Sequence, residues 1–367
     1  MREFEAKETR MPGVALIGAS QTGGVRAYGM RLEAALRADW PGAEVTRIDA
    51  RGAWAASSPL RVAAAAARLA RLAASGRADT AHLMVTERLS VWRKAALAVW
   101  ARALGLQVVA HHHGAEFADW AEAAGAPGRR ALRALARAAH RHVVLGEDWG
   151  RVLVAAGADP AGVEVVPNAL PDRARPRRAR RQGPMRVLFL GVMQPRKEAG
   201  LLVEALARLQ ARGVEAEAVF AGDGPARAAA EARAAALALP ARFVGAVDEA
   251  GAERWMRWAD VLAHPSRREG LPLTILEAMR AELPSLVAPA GAIAETLGEA
   301  DGVRLAAAGD AEVWAQALAR FAAAPEERRR LGRAARAAFE RRFEMAGHAA
   351  RIVGIYGWDG RGAPRPA

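Results

Sequence analysis

The chain has 367 residues, enough for two or three domains with their own cores, and no cysteine, which excludes disulfides, thiolate chemistry and cysteine-ligated metal. Its hydrophobic content of 52% is inflated by alanine, and no window approaches 18 strongly apolar residues in a row, so no membrane-spanning helix is expected. The formal net charge of +13 is unevenly placed, with six arginines and no acid over positions 173–183.

That arginine run reads first as a solvated linker and second as a segment drawn to an anionic membrane surface, where each basic side chain is worth roughly 1 kcal/mol. It lacks interleaved aromatics, so no nucleic-acid partner is expected. The first 13 residues alternate in charge and have no apolar core segment. This argues against a secretory leader and for a cytoplasmic location, peripheral at the inner face of the membrane if the arginines meet lipid.

In chain order, apolar strand-like runs alternate with Ala/Arg/Leu segments of helical period. The first half predicts strands over 14–19, 44–50, 80–86, 107–112, 142–145 and 163–166, with helices between them that include 60–74 and 129–140. The second half predicts strands over 186–191, 216–221, 242–245, 260–264 and 285–288. Such alternation is the pattern of parallel sheets covered on both faces, and the count predicts an α/β protein of two Rossmann-like domains facing a cleft. The domains are expected at 1–172 and 184–343, joined by the basic linker 173–183, with a last helix in 344–367 that has no strand to return to.

The most informative stretch is ADVLAHPSRREGLPLTILEAM, from Ala259 to Met279. A buried strand feeds a short polar loop, and Leu273, Leu276, Ala278 and Met279 then follow a helical period. Pro272 suits the first helical position, where its missing N–H would have had no partner. Glu269 then stands in the loop and Glu277 on the second helical turn, both bordering a crevice at the carboxyl end of a parallel strand. The N–H groups near Gly270 and Leu271, with the helix dipole, make a seat for phosphate. An anion seat beside two carboxylates suits a ligand carrying both phosphate and vicinal hydroxyls, as a sugar nucleotide does.

Other turns carry chemistry too. GASQTGGVRAYG follows the first strand, and Gly23 and Gly24 allow close approach of backbone to a ligand; the dinucleotide spacing of glycines is absent. HHHGAEF follows the fourth strand, and three consecutive histidines cannot all point one way from a strand, so no metal site is expected. In FLGVMQPRKEAG, Lys197 lies after a glycine-bearing turn at the start of a helix, placed to hold a phosphate leaving group.

The string PSRREGLPLTILEAM resembles the paired-glutamate signature of the retaining GT-B glycosyltransferases of family four, and the resemblance extends over nearly the whole chain. It implies two Rossmann-like domains in the GT-B arrangement and a nucleoside diphosphate sugar as donor. It implies His113 hydrogen-bonding the transferred sugar, Lys197 on the diphosphate, Glu269 on the sugar hydroxyls and Glu277 on the ribose diol. Gly222, Gly224 and Pro225 match its Gly-Asp-Gly-Pro turn, and Gly245, Ala246 and Val247 match the segment beside the base. Gly23, Gly24, Gly270, Leu271, Pro272 and Leu273 complete the donor set, and Asn168 matches the asparagine that closes the first domain. Arg26, Tyr28 and Glu116 are candidates to face the acceptor, a glycan or lipid-linked group. Three positions depart from the pattern: Val192 replaces an arginine that shares the phosphate charge, with Arg196 as a possible substitute, and Glu198 and Glu282 replace glycines. At Glu282 the departure predicts a different local turn, because glutamate resists positive φ.

The activity so implied is metal-independent, cofactor-free hexosyl transfer with retention, through a front-face route in which the leaving phosphate takes the acceptor proton. A sugar-nucleotide epimerase of the same architecture is the alternative enzyme, and a non-catalytic polyanion-binding scaffold the alternative without turnover.

Overall fold

The computed structural model describes residues 12–18, 24–50, 58–173 and 183–358. The chain divides into two compact units, Met1–Val166 with Met345–Ala367, and Pro167–Glu344. Each is built on one six-stranded, all-parallel sheet, the form that βαβ crossovers generate and helices bury on both faces.

In the first unit β1 (Gly13–Gly18), β2 (Glu44–Asp49), β3 (Thr80–Val85), β4 (Gln107–His112), β5 (Arg141–Val144) and β6 (Val163–Val165) lie in the order β2-β1-β3-β4-β5-β6. Val14 of β1 is in register with Val45 of β2 and with Thr80 of β3. Right-handed crossovers place the helices Ser58–Ala74, Leu89–Ala103 and Ala126–Ala138 on one face and Gly24–Asp39 on the other. The helix Met345–Tyr356 packs beside Gly24–Asp39, and its Ile352, Val353 and Tyr356 share a core with Leu16, Tyr28 and Leu32.

In the second unit β7 (Met185–Leu190), β8 (Ala216–Ala221), β9 (Ala241–Gly245), β10 (Val261–His264), β11 (Ser285–Val287) and β12 (Val303–Leu305) lie in the order β12-β11-β10-β7-β8-β9. Val187, Phe189, Phe220, Leu286 and Trp314 fill the core, and Phe220 stacks on Phe243 at 4.5 Å. From β7 the chain runs outward through β8 and β9, then returns to β10 on the other side. The loops after β7 and β10 therefore leave the sheet side by side where the strand order reverses, the place at which open α/β sheets hold ligands.

The expected pair of Rossmann-like α/β domains is what the chain forms, and each predicted strand is present within a residue or two. β12 was not expected: its three residues, Val-Arg-Leu, are too few to show a period, and Leu305 at their end is exposed.

Candidate functional site

The loops after β7 and β10 bring together three of the residues singled out from the sequence. Glu269 is 5% exposed, and its Oε1 accepts from the Lys197 ammonium, while Arg196 Nη1 lies 3.5 Å from the same oxygen. Two cations thus converge on one buried carboxylate. The loop that holds it is fixed by backbone: Arg267 N donates to Arg196 O at 2.9 Å, and Ser266 Oγ donates to the carbonyls of Arg196 and Arg268 at 3.2 Å each. Gly291 closes the back, since a Cβ there would lie 1.7 Å from Glu269 O, so only glycine lets this strand-end loop pass.

A fourth member was missed. His264, the last residue of β10, is buried, and its Nε2 lies 3.0 Å from Glu269 Oε1. Burial lowers its pKa, with Lys197 and Arg196 adding to the effect and Glu269 opposing it, so the ring is neutral and Nε2–H donates. The signal was available: a polar residue ending an apolar strand at the carboxyl edge of the sheet. Burial raises the pKa of Glu269, but hydrogen bonds from His264 and Lys197 and the charge of Lys197 outweigh it and hold the carboxyl below the usual carboxylate range. Burial also lowers the pKa of Lys197, against the pull of Glu269.

Arg196 and Lys197 sit in a short 3-10 turn, Pro195–Lys197, and not at the start of an α-helix as the sequence suggested; the helix begins at Ala199. Between them Glu198 takes a left-handed conformation, φ 57°, with its carboxylate 2.9 Å from Arg267 Nε. Val192 is 57% exposed, and no cation stands at its position. Pro272 is the cap residue of the helix Leu273–Arg280, not its first helical residue, so the helix opens one position later than predicted. The N–H groups of Gly270 and Leu271 find no backbone acceptor among the described residues, whereas Leu271 O accepts from Asn168 Nδ2 at 2.8 Å. Glu282 was expected to change its turn by avoiding positive φ. It does not: its φ is 59°, with Gly332 packed so closely on its carbonyl that a Cβ there would approach to 2.5 Å.

The remaining donor candidates of this unit interlock around the same edge. Gly222 N donates to Gly245 O at 2.7 Å, and a Cβ on Gly222 would fall 1.9 Å from Gly191 O. Gly224 packs against Met193 in the same way, with Met193 N bonded to Asp223 O at 2.8 Å. Ala246 is exposed and Val247 half-buried after β9. Glu277 lies on the second turn of its helix, lining a small depression with Glu249, Met256 and Arg280 that includes neither Lys197 nor Glu269.

In the first unit Gly23 lies outside the described residues, and Gly24 opens the helix Gly24–Asp39. Arg26 is exposed and lines a cavity of about 310 Å³ with Arg47, Asp49 and Arg68. Tyr28 cannot meet an acceptor from where it stands: it is 1% exposed, with its hydroxyl 2.7 Å from His348 Nε2 and 3.2 Å from His111 Nδ1. His113, at the end of β4, is half-buried, stacked on His111 at 4.0 Å and against Tyr28 at 4.6 Å. Glu116 stands at the N-cap position of the helix Phe117–Ala123 without a side-chain capping bond, and pairs with Arg88 at 3.2 Å. Among the described residues no group of three or more histidine or carboxylate side chains is arranged to hold a metal ion.

Two parallel six-stranded α/β units, with a charged loop pair at the reversal of strand order in the second, are the GT-B architecture. Residues 14–169 match the family model "Glycosyl transferase 4-like domain" and residues 172–338 match "Glycosyl transferases group 1". The chain belongs to the group 1 glycosyl transferases. The fold is similar to that of HepE from Anabaena in complex with UDP (TM-score 0.74, 15% identity, 95% of this chain and 100% of that one). It is equally similar to sucrose-phosphate synthase of Thermosynechococcus elongatus (TM-score 0.76, 18% identity, 94% and 98%). Among sequence relatives, the putative glycosyltransferase EpsF of Bacillus subtilis is 34% identical over 137 residues, 36% of this chain and 35% of that protein. The phosphatidyl-myo-inositol mannosyltransferase of Mycolicibacterium smegmatis is 34% identical over 174 residues, 46% and 44%. The D-inositol 3-phosphate glycosyltransferase of Kribbella flavida is 33% identical over 201 residues, 49% and 47%. The matched stretch thus spans less than half the length of each of these relatives.

Proposed function

We propose that the chain transfers a sugar from a nucleoside diphosphate sugar to an acceptor hydroxyl with retention at the anomeric carbon. The observation that carries this reading is the convergence of Lys197, Arg196 and neutral His264 on Glu269, beside the N-terminal end of the helix Leu273–Arg280. The two cations and the helix dipole suit the charge that builds on a departing diphosphate, where preorganised donors are most effective. Glu269 holds the cations in place when the site is empty and, on the family resemblance, takes the sugar hydroxyls when it is full. The resemblance also gives His113 a hydrogen bond to the transferred sugar and Glu277 the ribose diol. No side chain need act as general base if the leaving phosphate takes the acceptor proton on the same face. The donor set works through cationic side chains and backbone N–H, without a metal.

An acidic or lipid-linked glycan is the acceptor class we favour. Arg26, Arg47 and Arg68 line the cavity of the first unit, and relatives are named for phosphatidyl-myo-inositol and inositol 3-phosphate. The test is a melting screen against UDP, GDP, ADP and their sugars, followed by nucleotide release from whichever donor binds. A ligand at a hundred times its Kd raises stability by about 2.7 kcal/mol. Lys197→Ala is expected to lower release roughly a hundredfold. A chain that no nucleotide stabilises, or release unchanged in Lys197→Ala, overturns the reading.

A further inference from the structure

We propose that the outer face of three helices in the first unit, centred on Leu89–Ala103, docks onto an anionic lipid bilayer. This helix is apolar on its outer face as well as on its inner one, where Val91, Leu97, Ala98 and Ala101 are buried. Its Lys94 is buried at 4% exposure, whereas Leu89 at 61%, Trp92 at 44%, Val99 at 52% and Trp100 at 42% face outward. Leu89, Trp92, the exposed Ala96, Val99 and Ala103 recur at three- and four-residue intervals, so they form one stripe down the helix and not scattered single contacts. The Trp100 indole is pinned across the seam to the next helix, its Nε1 donating to Ala66 O at 3.1 Å, and Leu60 of that helix is 76% exposed at the same end as Leu89.

Charge frames the stripe on both sides. The helix Ser58–Ala74 packs on one flank and exposes Arg61, Arg68 and Arg71; the helix Ala126–Ala138 packs on the other and exposes Arg130, Arg133 and Arg137. None of the three helices contains an Asp or Glu. A bilayer with anionic headgroups satisfies both features together, taking guanidinium at the phosphates and indole, leucine and valine at the acyl boundary. A second copy of the chain is disfavoured, since a two-fold contact would set arginines against arginines with no acid to pair them. Nucleic acid would meet the arginines but has nothing to receive Leu89 and Val99. The stripe begins in the first turn of its helix, at the carboxyl edge of the sheet, so the edge from which the His113 loop leaves would be the one carried toward lipid. The proposal extends the lipid-linked reading of the acceptor, and its test uses no turnover, so either can fail alone.

The experiment is flotation of the full chain with vesicles of phosphatidylcholine, or of phosphatidylcholine and phosphatidylglycerol in equal parts. The wild type should float with the anionic vesicles only. Leu89→Ser with Trp92→Ser, which leaves every charge in place, should lower the bound fraction by roughly tenfold. Arg130→Ala with Arg133→Ala should lower it about fivefold per arginine. Unchanged melting curves would show that both double variants fold. The proposal is overturned by absence of binding to either vesicle or by equal binding to both. It is also overturned if both variants bind normally while neutralising the arginines of 173–183 abolishes flotation, which would move the contact to that segment. Self-association of the wild type that Trp92→Ser abolishes, without vesicle binding, would assign the stripe to a second copy and overturn it too.

Discussion

Replacing Glu269 by glutamine tests the electrostatic core of the site. The substitution keeps the side chain's shape and its acceptor oxygen for His264 Nε2–H and Lys197, and removes only the charge. What remains is Lys197 at 13% side-chain exposure and Arg196 at 28%, facing each other without an anion. Breaking a fully buried pair costs 3–5 kcal/mol. Here both cations retain a path to water, so the expected loss is about 2–3 kcal/mol at pH 7, read by urea denaturation with hydrogen exchange reporting on the Pro167–Glu344 unit. The pH dependence fixes the origin of the loss. The folded pKa of Glu269 is depressed, so its contribution is full above the unfolded value of about 4.3 and disappears as pH falls through the lower folded value. The gap between wild type and Glu269→Gln should be constant from pH 8 to about 5 and close in stronger acid. Adding Lys197→Met to Glu269→Gln should recover part of the loss, since it removes one of the stranded charges. A variant as stable as wild type at pH 7, or a gap that persists unchanged into strong acid, would refute the claim that the carboxylate neutralises this cluster.

Three further outcomes are expected. Burial, followed by the charge of neighbouring histidines, lowers His82 to about 3 and His111 and His112 well below the ordinary histidine value, so the folded first unit holds them neutral. The unfolded chain then binds more protons as pH drops below about 6.5, and each ring costs roughly 1–2 kcal/mol at pH 5.5 relative to pH 8. Together they should destabilise that unit by about 4 kcal/mol, seen as hydrogen exchange that accelerates there before it does in the second unit; a flat pH profile would contradict it. Lys94 is lowered to about 7, by burial first and then by Arg93, with Asp49 opposing, so its burial is most costly below that pH. Lys94→Met should therefore stabilise by roughly 2–3 kcal/mol at pH 7, with the gain shrinking toward pH 10; a pH-independent change would exclude this cause. Glu282→Gly should raise stability in urea by about 1 kcal/mol, because the left-handed φ of 59° strains any residue with a Cβ. If the variant is no more stable than wild type, the turn is not strained.

The parts of the fold that could be read from sequence are those written in local periods. β3 and β10, with every residue buried, show as short runs that are apolar apart from Thr80, His82 and His264, and the loop from Pro265 to Pro272 is marked by its prolines and glycine. The parts that could not be read depend on distant partners. Nothing local says that Tyr28 is claimed by His348, 320 residues away, and so is withdrawn into the core. Nothing in the run of three histidines separates them, yet alternation along β4 buries His111 and His112 on opposite sides and leaves His113 half-buried at the strand end. The conformation at Glu282 failed for a different reason: the side chain's preference predicts avoidance of positive φ, but its carbonyl is locked against Gly332 in the helix Pro325–Arg342, and tertiary packing outweighs about 1 kcal/mol of local strain.

The departure at Val192 finds its counterpart in the same way. Sequence alone left the arginine's charge unreplaced, because Arg196 could equally have been a solvated residue at a helix start. In the fold the 3-10 turn carries the Arg196 guanidinium back across the site, where Gln194 Oε1 accepts from Nε at 3.1 Å and Arg268 O from Nη1 at 2.5 Å. Two fixed acceptors hold the guanidinium at 3.5 Å from the oxygen that Lys197 also reaches, so little reorganisation is needed when an anion arrives. On the proposed reading the second positive charge of the phosphate site has moved along the loop by four residues. On that same proposal the exposed valine marks a charge relocated within one loop, with Lys197 and Arg196 as the two cations offered to a departing diphosphate.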